Sequence, residues 1–206
     1  MRTLFLARHA EAVSNTRGIV SGIPPGQGLT PTGRQEARAL AAALARVAVD
    51  LGVVTEFLRT QETLALALDG RDVPRIVLPL LNEIRFGAFD GGPLPDYRRW
   101  AWSEEPDALP PGDGESRANV AARVADALDV LVARADETIF AVSHALPVRY
   151  ILDAADGRFP AARIEPVEHG TIHRVTAANA SRAAETLRVW AEDGEFRDSP
   201  RDHTES

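Results

Sequence analysis

The chain of 206 residues contains no cysteine, which removes disulfides, thiol nucleophiles and thiolate–zinc centres from consideration. It also lacks an excess of positive charge. Its 23 basic residues against 30 acidic ones give a formal net charge of −7, which argues against nucleic acid or an anionic membrane as a bulk partner and leaves room for a local basic pocket. No uninterrupted apolar run is long enough to span a membrane. The first residues enter an apolar segment without the basic stretch and cleavage site of a secretory signal, so a cytoplasmic location is expected. Internal repeats and coiled-coil heptads are missing too. What remains is 45% hydrophobic and 26% charged, the balance of an ordinary globular protein, with enough length for one domain and a full core. That domain is expected over 1–192, with the polar, acidic stretch 193–206 as a disordered tail.

Against that background the apolar run Thr3-Leu4-Phe5-Leu6-Ala7 stands out because it stops at Arg8-His9-Ala10-Glu11. Thr138-Ile139-Phe140-Ala141-Val142 repeats the pattern and stops at Ser143-His144. Between these two runs the sequence alternates strand and helix signals. Thr30-Pro31 offers an N-cap and a proline at the first helical position, and Leu40, Ala43, Leu44 and Val47 supply the apolar face of the helix that follows. Strands are predicted at 50–54 and 74–78, helices at 59–68, 116–133 and 147–155, and closing strands at 171–175 and 187–190. The stretch Leu81 to Gly114 is rich in glycine, proline and aromatics, with one short helix predicted near Tyr97 to Trp102. It is too long for a plain crossover and is expected to act as a lid or specificity segment. Alternating elements predict a three-layer α/β/α arrangement with a mostly parallel central sheet.

Three strand-to-helix junctions carry polar groups: Arg8-His9, Thr55 leading to Arg59, and Ser143-His144. Open α/β sheets gather ligands outside the carboxyl ends of their strands, so parallel neighbours would bring these groups to one edge. Two guanidinium groups, two imidazoles and nearby helix N-termini suit a phosphoryl group in charge and size. Adjacent arginines also disfavour protonation of an imidazole, leaving His9 neutral enough to attack phosphorus. A lone histidine at a strand end is more often structural; the conjunction points to chemistry.

The ordered blocks resemble the histidine phosphatase superfamily, also called phosphoglycerate mutase-like. Arg8-His9-Ala10-Glu11 resembles its Arg-His-Gly-Glu signature, with Asn15 at the family spacing. Thr55 to Thr63 resembles the segment that supplies the second arginine, Leu81 to Gly91 the acid/base loop, Gly114-Glu115-Ser116 a block of the phosphatase branch, and Ser143-His144-Ala145 the second histidine motif. The resemblance implies a phosphoglycerate mutase-like fold and a phosphomonoesterase acting on a small-molecule phosphate ester through a phosphohistidine on His9. It implies that Arg8, Arg59 and His144 hold the phosphoryl oxygens and that Glu83 is the proton donor and acceptor. Asn15, Ser21, Gly22 and Ala145 would be substrate-binding residues. It implies no metal and no cofactor, and allows a homodimer. Ala10 and Ala145 depart from the family's glycines without removing a reacting group.

Other readings stand beside this one. A phosphoglycerate mutase would return the phosphoryl group to substrate, a phosphohistidine-protein phosphatase resembles the opening motif, and an inactive module would only hold a phosphorylated ligand. Glu11 is expected to orient neighbours. Arg123 and Arg149 read as helix salt-bridge formers, and Arg85, Arg98 and Arg99 as surface groups. His169 and His173 alternate near a late strand, where they face solvent or pack, and His203 lies in the tail. Phe86, Phe89, Tyr97, Trp100 and Trp102 fill core or line an apolar pocket.

Overall fold

The computed structural model describes residues 1–193 and 195–196. Residues 194 and 197–206, which take in most of the expected tail and His203, lie outside the described residues. Five strands form one sheet: β1 (Thr3–Arg8), β2 (Leu51–Val54), β3 (Arg75–Val77), β4 (Thr138–Ser143) and β5 (Ile172–Thr176), in the order β3-β2-β4-β1-β5. Only β5 runs antiparallel, against β1.

Alternation along the strands explains why both faces of the sheet are covered. Leu4, Leu6, Leu51, Val53, Ile139 and Ala141 point to one side, into a core shared with α5 (Arg117–Val132), α6 (Ala145–Ala155) and α7 (Ala177–Asp193). Ala7, Val54, Phe140 and Val142 point to the other, against α2 (Pro31–Leu44) and α3 (Leu58–Ala67). This is the predicted three-layer arrangement. A four-residue α1 (Val13–Thr16) follows β1, and α4 (Leu94–Ser103) lies in the long segment after β3. No helix among the described residues is long and apolar enough to cross a membrane.

The Thr30 hydroxyl accepts the Gly33 N–H at 2.9 Å, and Pro31 opens α2, as the cap signal predicted. The predicted face of α2 needs correction. Its buried positions are Gly33, Ala37, Leu40 and Leu44, while Ala43 is exposed and Val47 lies beyond the helix. A 3.6-residue period carries the stripe through 33, 37, 40 and 44 and leaves 43 outside it. The predicted strand at 187–190 is also overturned, because it lies inside α7. Leu187-Arg188-Val189-Trp190 is a short apolar stretch broken by one arginine, but Ala180, Ala183, Ala184, Leu187 and Trp190 are the buried set. That longer spacing is helical.

Candidate active site

The register of the sheet places the site. β1 and β4 are parallel neighbours with Arg8 opposite Ser143, so the next residue of each strand, His9 and His144, leaves the same edge. Their ring centroids are 5.4 Å apart. β2 flanks β4 on its other side and runs parallel to it, so Thr55, at the end of β2, and Arg59, on the first turn of α3, reach the same edge. The three junctions singled out in the sequence therefore converge.

Arg59 ties the two imidazoles together. Its Nε donates to His9 Nε2 at 3.2 Å, and its Nη2 lies 3.1 Å from His144 Nδ1 and 2.9 Å from the Ser21 carbonyl. Its guanidinium carbon stands 4.2 Å above the Phe57 ring. The remaining nitrogen, Nη1, is buried and has no hydrogen-bond partner among the described residues, and the same holds for Arg8 Nε. Buried charged donors left open cost free energy unless something accepts from them, and an oxyanion would.

Hydrogen bonding assigns the tautomers. His9 Nδ1 lies 2.8 Å from the Ala10 carbonyl, which only accepts, so Nδ1 carries the proton and Nε2 keeps its lone pair. Arg59 only donates, so His144 Nδ1 accepts and its Nε2–H donates to Thr55 Oγ1 at 3.0 Å. Thr60 continues this chain, 2.9 Å from Thr55 Oγ1 and donating to the Phe57 carbonyl. Both imidazoles are held well below the usual histidine range, first by burial and then by Arg59, so they are neutral at pH 7. Burial also brings Arg59 down to about 10, which leaves it protonated. Glu83 is shifted the other way: burial raises its carboxyl against the pull of Arg59 and Arg8. The site thus sets a neutral base beside a carboxyl biased towards its acid form.

The remaining predicted residues divide. Arg8, His9, Asn15, Ser21, Arg59, Glu83 and Ala145 all line one cavity of about 360 Å³. Asn15 Oδ1 caps α1 by accepting the Ala12 N–H, which leaves its NH2 group for the cavity. Gly22 is outside the lining; a Cβ there would meet the Ile84 carbonyl at 2.3 Å, so its glycine answers to close packing. His144 sits behind the lining, in contact with Arg59. Arg123 pairs with Glu115 at 2.7 Å and donates to the carbonyls of Leu80, Asn82 and Glu83, bracing the loop that presents Glu83. Arg149 pairs with Asp153. Glu11 accepts from Thr30 Oγ1 at 2.5 Å, a structural tie. Arg85, Arg98 and Arg99 are exposed, with Arg98 at the cavity rim.

Of the aromatic set, Phe86, Tyr97 and Trp102 line the cavity, while Phe89 and Trp100 pack on Tyr97 at centroid distances of 5.8 Å. The apolar wall is completed by residues the sequence did not flag: Ile19, Val20, Leu146, Ile164 and Val167. His169 is also better placed than expected, its Nδ1 2.8 Å from the His9 carbonyl. The stretch holding Ile164, Val167 and His169 has no regular structure and therefore no periodicity to read.

Four similarities accompany this geometry. Residues 4–193 match the model of the Histidine phosphatase superfamily (branch 1). An adenosylcobalamin/alpha-ribazole phosphatase of Salmonella typhimurium is 39% identical over 87 residues, covering 42% of this chain and 43% of that protein, so the match spans less than half of either. The uncharacterized protein Rv0525 of Mycobacterium tuberculosis is 34% identical over 70% of this chain and 74% of its own. The solved structure of the alpha-ribazole phosphatase of Shigella flexneri superposes with a TM-score of 0.72 at 28% identity, covering 84% of this chain and 89% of that one.

Proposed function

The chain belongs to the histidine phosphatase superfamily, and from that premise we propose that it hydrolyses phosphate monoesters through a phosphohistidine on His9. The observation that carries the reading is the buried, neutral His9 with its Nε2 lone pair facing a guanidinium that has a free donor. In the first step that lone pair attacks phosphorus while the bond to the ester oxygen breaks. Arg8, Arg59 and Asn15 hold the phosphoryl oxygens, where positioned donors act most strongly on developing charge. His144, its one N–H held by Thr55, braces Arg59 from behind rather than touching phosphate as the sequence led one to expect. Glu83, in its acid form, gives its proton to the departing alcohol. In the second step the Glu83 carboxylate takes a proton from water as that water attacks phosphorus. The N–P bond breaks, returning neutral His9 and inorganic phosphate.

The walls favour an ester whose alcohol carries an apolar ring system. Phe86, Tyr97, Trp102, Leu146 and Ile164 surround the space beside the phosphate end, and burying such a ring there gains about 25 cal/mol per Å² of apolar surface. An alpha-ribazole phosphate is one candidate, taken from the names of two relatives. A glycerate phosphate, with a carboxylate to satisfy as a second anionic group, meets this wall poorly.

His9→Ala should abolish turnover of p-nitrophenyl phosphate and remove the acid-labile phosphoenzyme signal in 31P NMR, with the circular dichroism spectrum unchanged. Full activity in that variant would refute the nucleophile assignment. Turnover across a panel of phosphate esters, with phosphoglycerates and alpha-ribazole phosphate among them, would then rank the alcohols.

A further inference from the structure

One titratable side chain lies against the nucleophile and has no part in the chemistry above. His169 is half-buried in the irregular segment between α6 and β5. Its ring centroid is 5.5 Å from that of His9, and its Nδ1 is 2.8 Å from the His9 carbonyl oxygen. A carbonyl only accepts, so His169 Nδ1 carries a proton and donates it.

We propose that His169 is a positioning residue: by gripping the His9 carbonyl it fixes the peptide plane on which the attacking imidazole is aligned. The inference rests on His9 being the nucleophile. A peptide unit is rigid, so a partner at each pole fixes its tilt, whereas one partner leaves it free to rock. The His9–Ala10 unit has both partners. His169 holds its carbonyl, and its N–H donates to Thr63 Oγ1 at 3.0 Å. Thr63 is itself anchored, donating to the Arg59 carbonyl at 2.6 Å. The flanking units are held as well: His9 N–H donates to the Ser143 carbonyl at 2.9 Å, and Glu11 N–H to Glu36 Oε2 at 2.8 Å.

The consequence for chemistry runs through the Ala10 carbonyl. That oxygen takes the His9 Nδ1 proton and so keeps the lone pair on Nε2. When the His9–Ala10 plane rocks, the Ala10 carbonyl shifts relative to the ring. The Nδ1–H bond then weakens, and the tautomer with its proton on Nε2 gains population. That tautomer has no lone pair to offer phosphorus. Loss of the His169 donor therefore lowers the fraction of competent enzyme and leaves the phosphate-holding groups in place.

Two variants separate this from space filling. His169→Asn carries an amide NH2 the same number of bonds from Cα as Nδ1, and His169→Leu keeps bulk but cannot donate. On p-nitrophenyl phosphate, His169→Leu should lose about tenfold in kcat, the worth of one hydrogen bond, with KM within about twofold of wild type. Its 15N-labelled His9 should show mixed tautomers, where the wild type shows the Nδ1–H form alone. His169→Asn should restore both. A single tautomer and wild-type kcat in His169→Leu would overturn the proposal, as would equal losses in the two variants. The tautomer measurement needs no turnover, so it judges His169 even if His9→Ala proves active and the nucleophile assignment fails.

Discussion

Glu83 and His9 meet opposite fates in the same cavity, because burial disfavours whichever form is charged. For Glu83 that form is the carboxylate, and its proton is held to higher pH; for His9 it is the imidazolium, and the neutral ring persists to lower pH. In the proposed mechanism, phosphoenzyme formation needs neutral His9 and protonated Glu83. Measured in single turnover on an alkyl phosphate, its rate should fall as pH rises through the elevated Glu83 pKa, and fall again at acid pH once His9 protonates. Glu83→Gln should slow that step by about 10²- to 10⁴-fold on alkyl phosphates, the range for a lost general acid. On p-nitrophenyl phosphate, whose leaving group needs little protonation, the loss should stay within about tenfold. Equal losses on both esters would remove Glu83 from the acid role. At this scale the sequence was most legible where residue type and strand end coincided, as at Arg8-His9 and Ser143-His144. It was least legible at His169, whose partner is a backbone carbonyl 160 positions away and leaves no trace in spacing.

Elements, too, were read well or badly for physical reasons. β1 and β4 are buried on both faces, so each is a nearly unbroken apolar run that the eye finds directly. α7 was misread at its end because a four-residue window cannot tell a period of two from one of 3.6. The segment after β3 yielded only a fragment of α4, since Pro93 and Pro95 flank its start and its buried side is just Tyr97 and Ala101. α2 holds a test of how an element serves the site. Glycine inside a helix costs about 1 kcal/mol relative to alanine, yet Gly33 sits in its first turn. A Cβ there would lie 2.0 Å from the Glu11 carbonyl oxygen, so the helix can approach the strand-end loop only through glycine. Gly33→Ala should therefore destabilise the protein by about 2 kcal/mol, the overpacking range, where propensity alone predicts a gain. Urea unfolding measures the sign, and a stabilised variant would show that the approach of α2 to Glu11 is looser than described. Because Glu11 is two residues from His9, the variant should also lose activity.

At the scale of the whole molecule, folding keeps two imidazoles neutral that the unfolded chain exposes to water. The unfolded histidines take up protons near their ordinary pKa of about 6.5, whereas folded His9 and His144 resist well below it. Below that pH the unfolded state binds more protons, so stability is complete above about 6.5 and declines as pH falls beneath it. Each histidine contributes a slope of up to about 1.4 kcal/mol per pH unit. Glu83 acts in the opposite sense: its raised pKa supports the fold at low pH, and that support fades as pH rises through the folded value. Between about pH 5.5 and 6.5 ordinary carboxylates hardly titrate, so urea unfolding in that window on a Glu83→Gln background isolates the histidines, with His169 and His173 adding to the slope of His9 and His144. Replacing His144 with Asn should flatten the decline by up to the slope of one histidine. Saturating inorganic phosphate should flatten it in the unmodified protein, because a bound anion favours a protonated His144 and restores proton uptake to the folded state. A flat stability profile across this window would mean that water reaches the imidazoles. The folded imidazoles would then titrate near their unfolded value, so neither burial nor the Arg8 and Arg59 guanidinium groups would be holding His9 neutral, whereas a sloping profile that Arg59→Ala makes shallower would show the guanidinium at work.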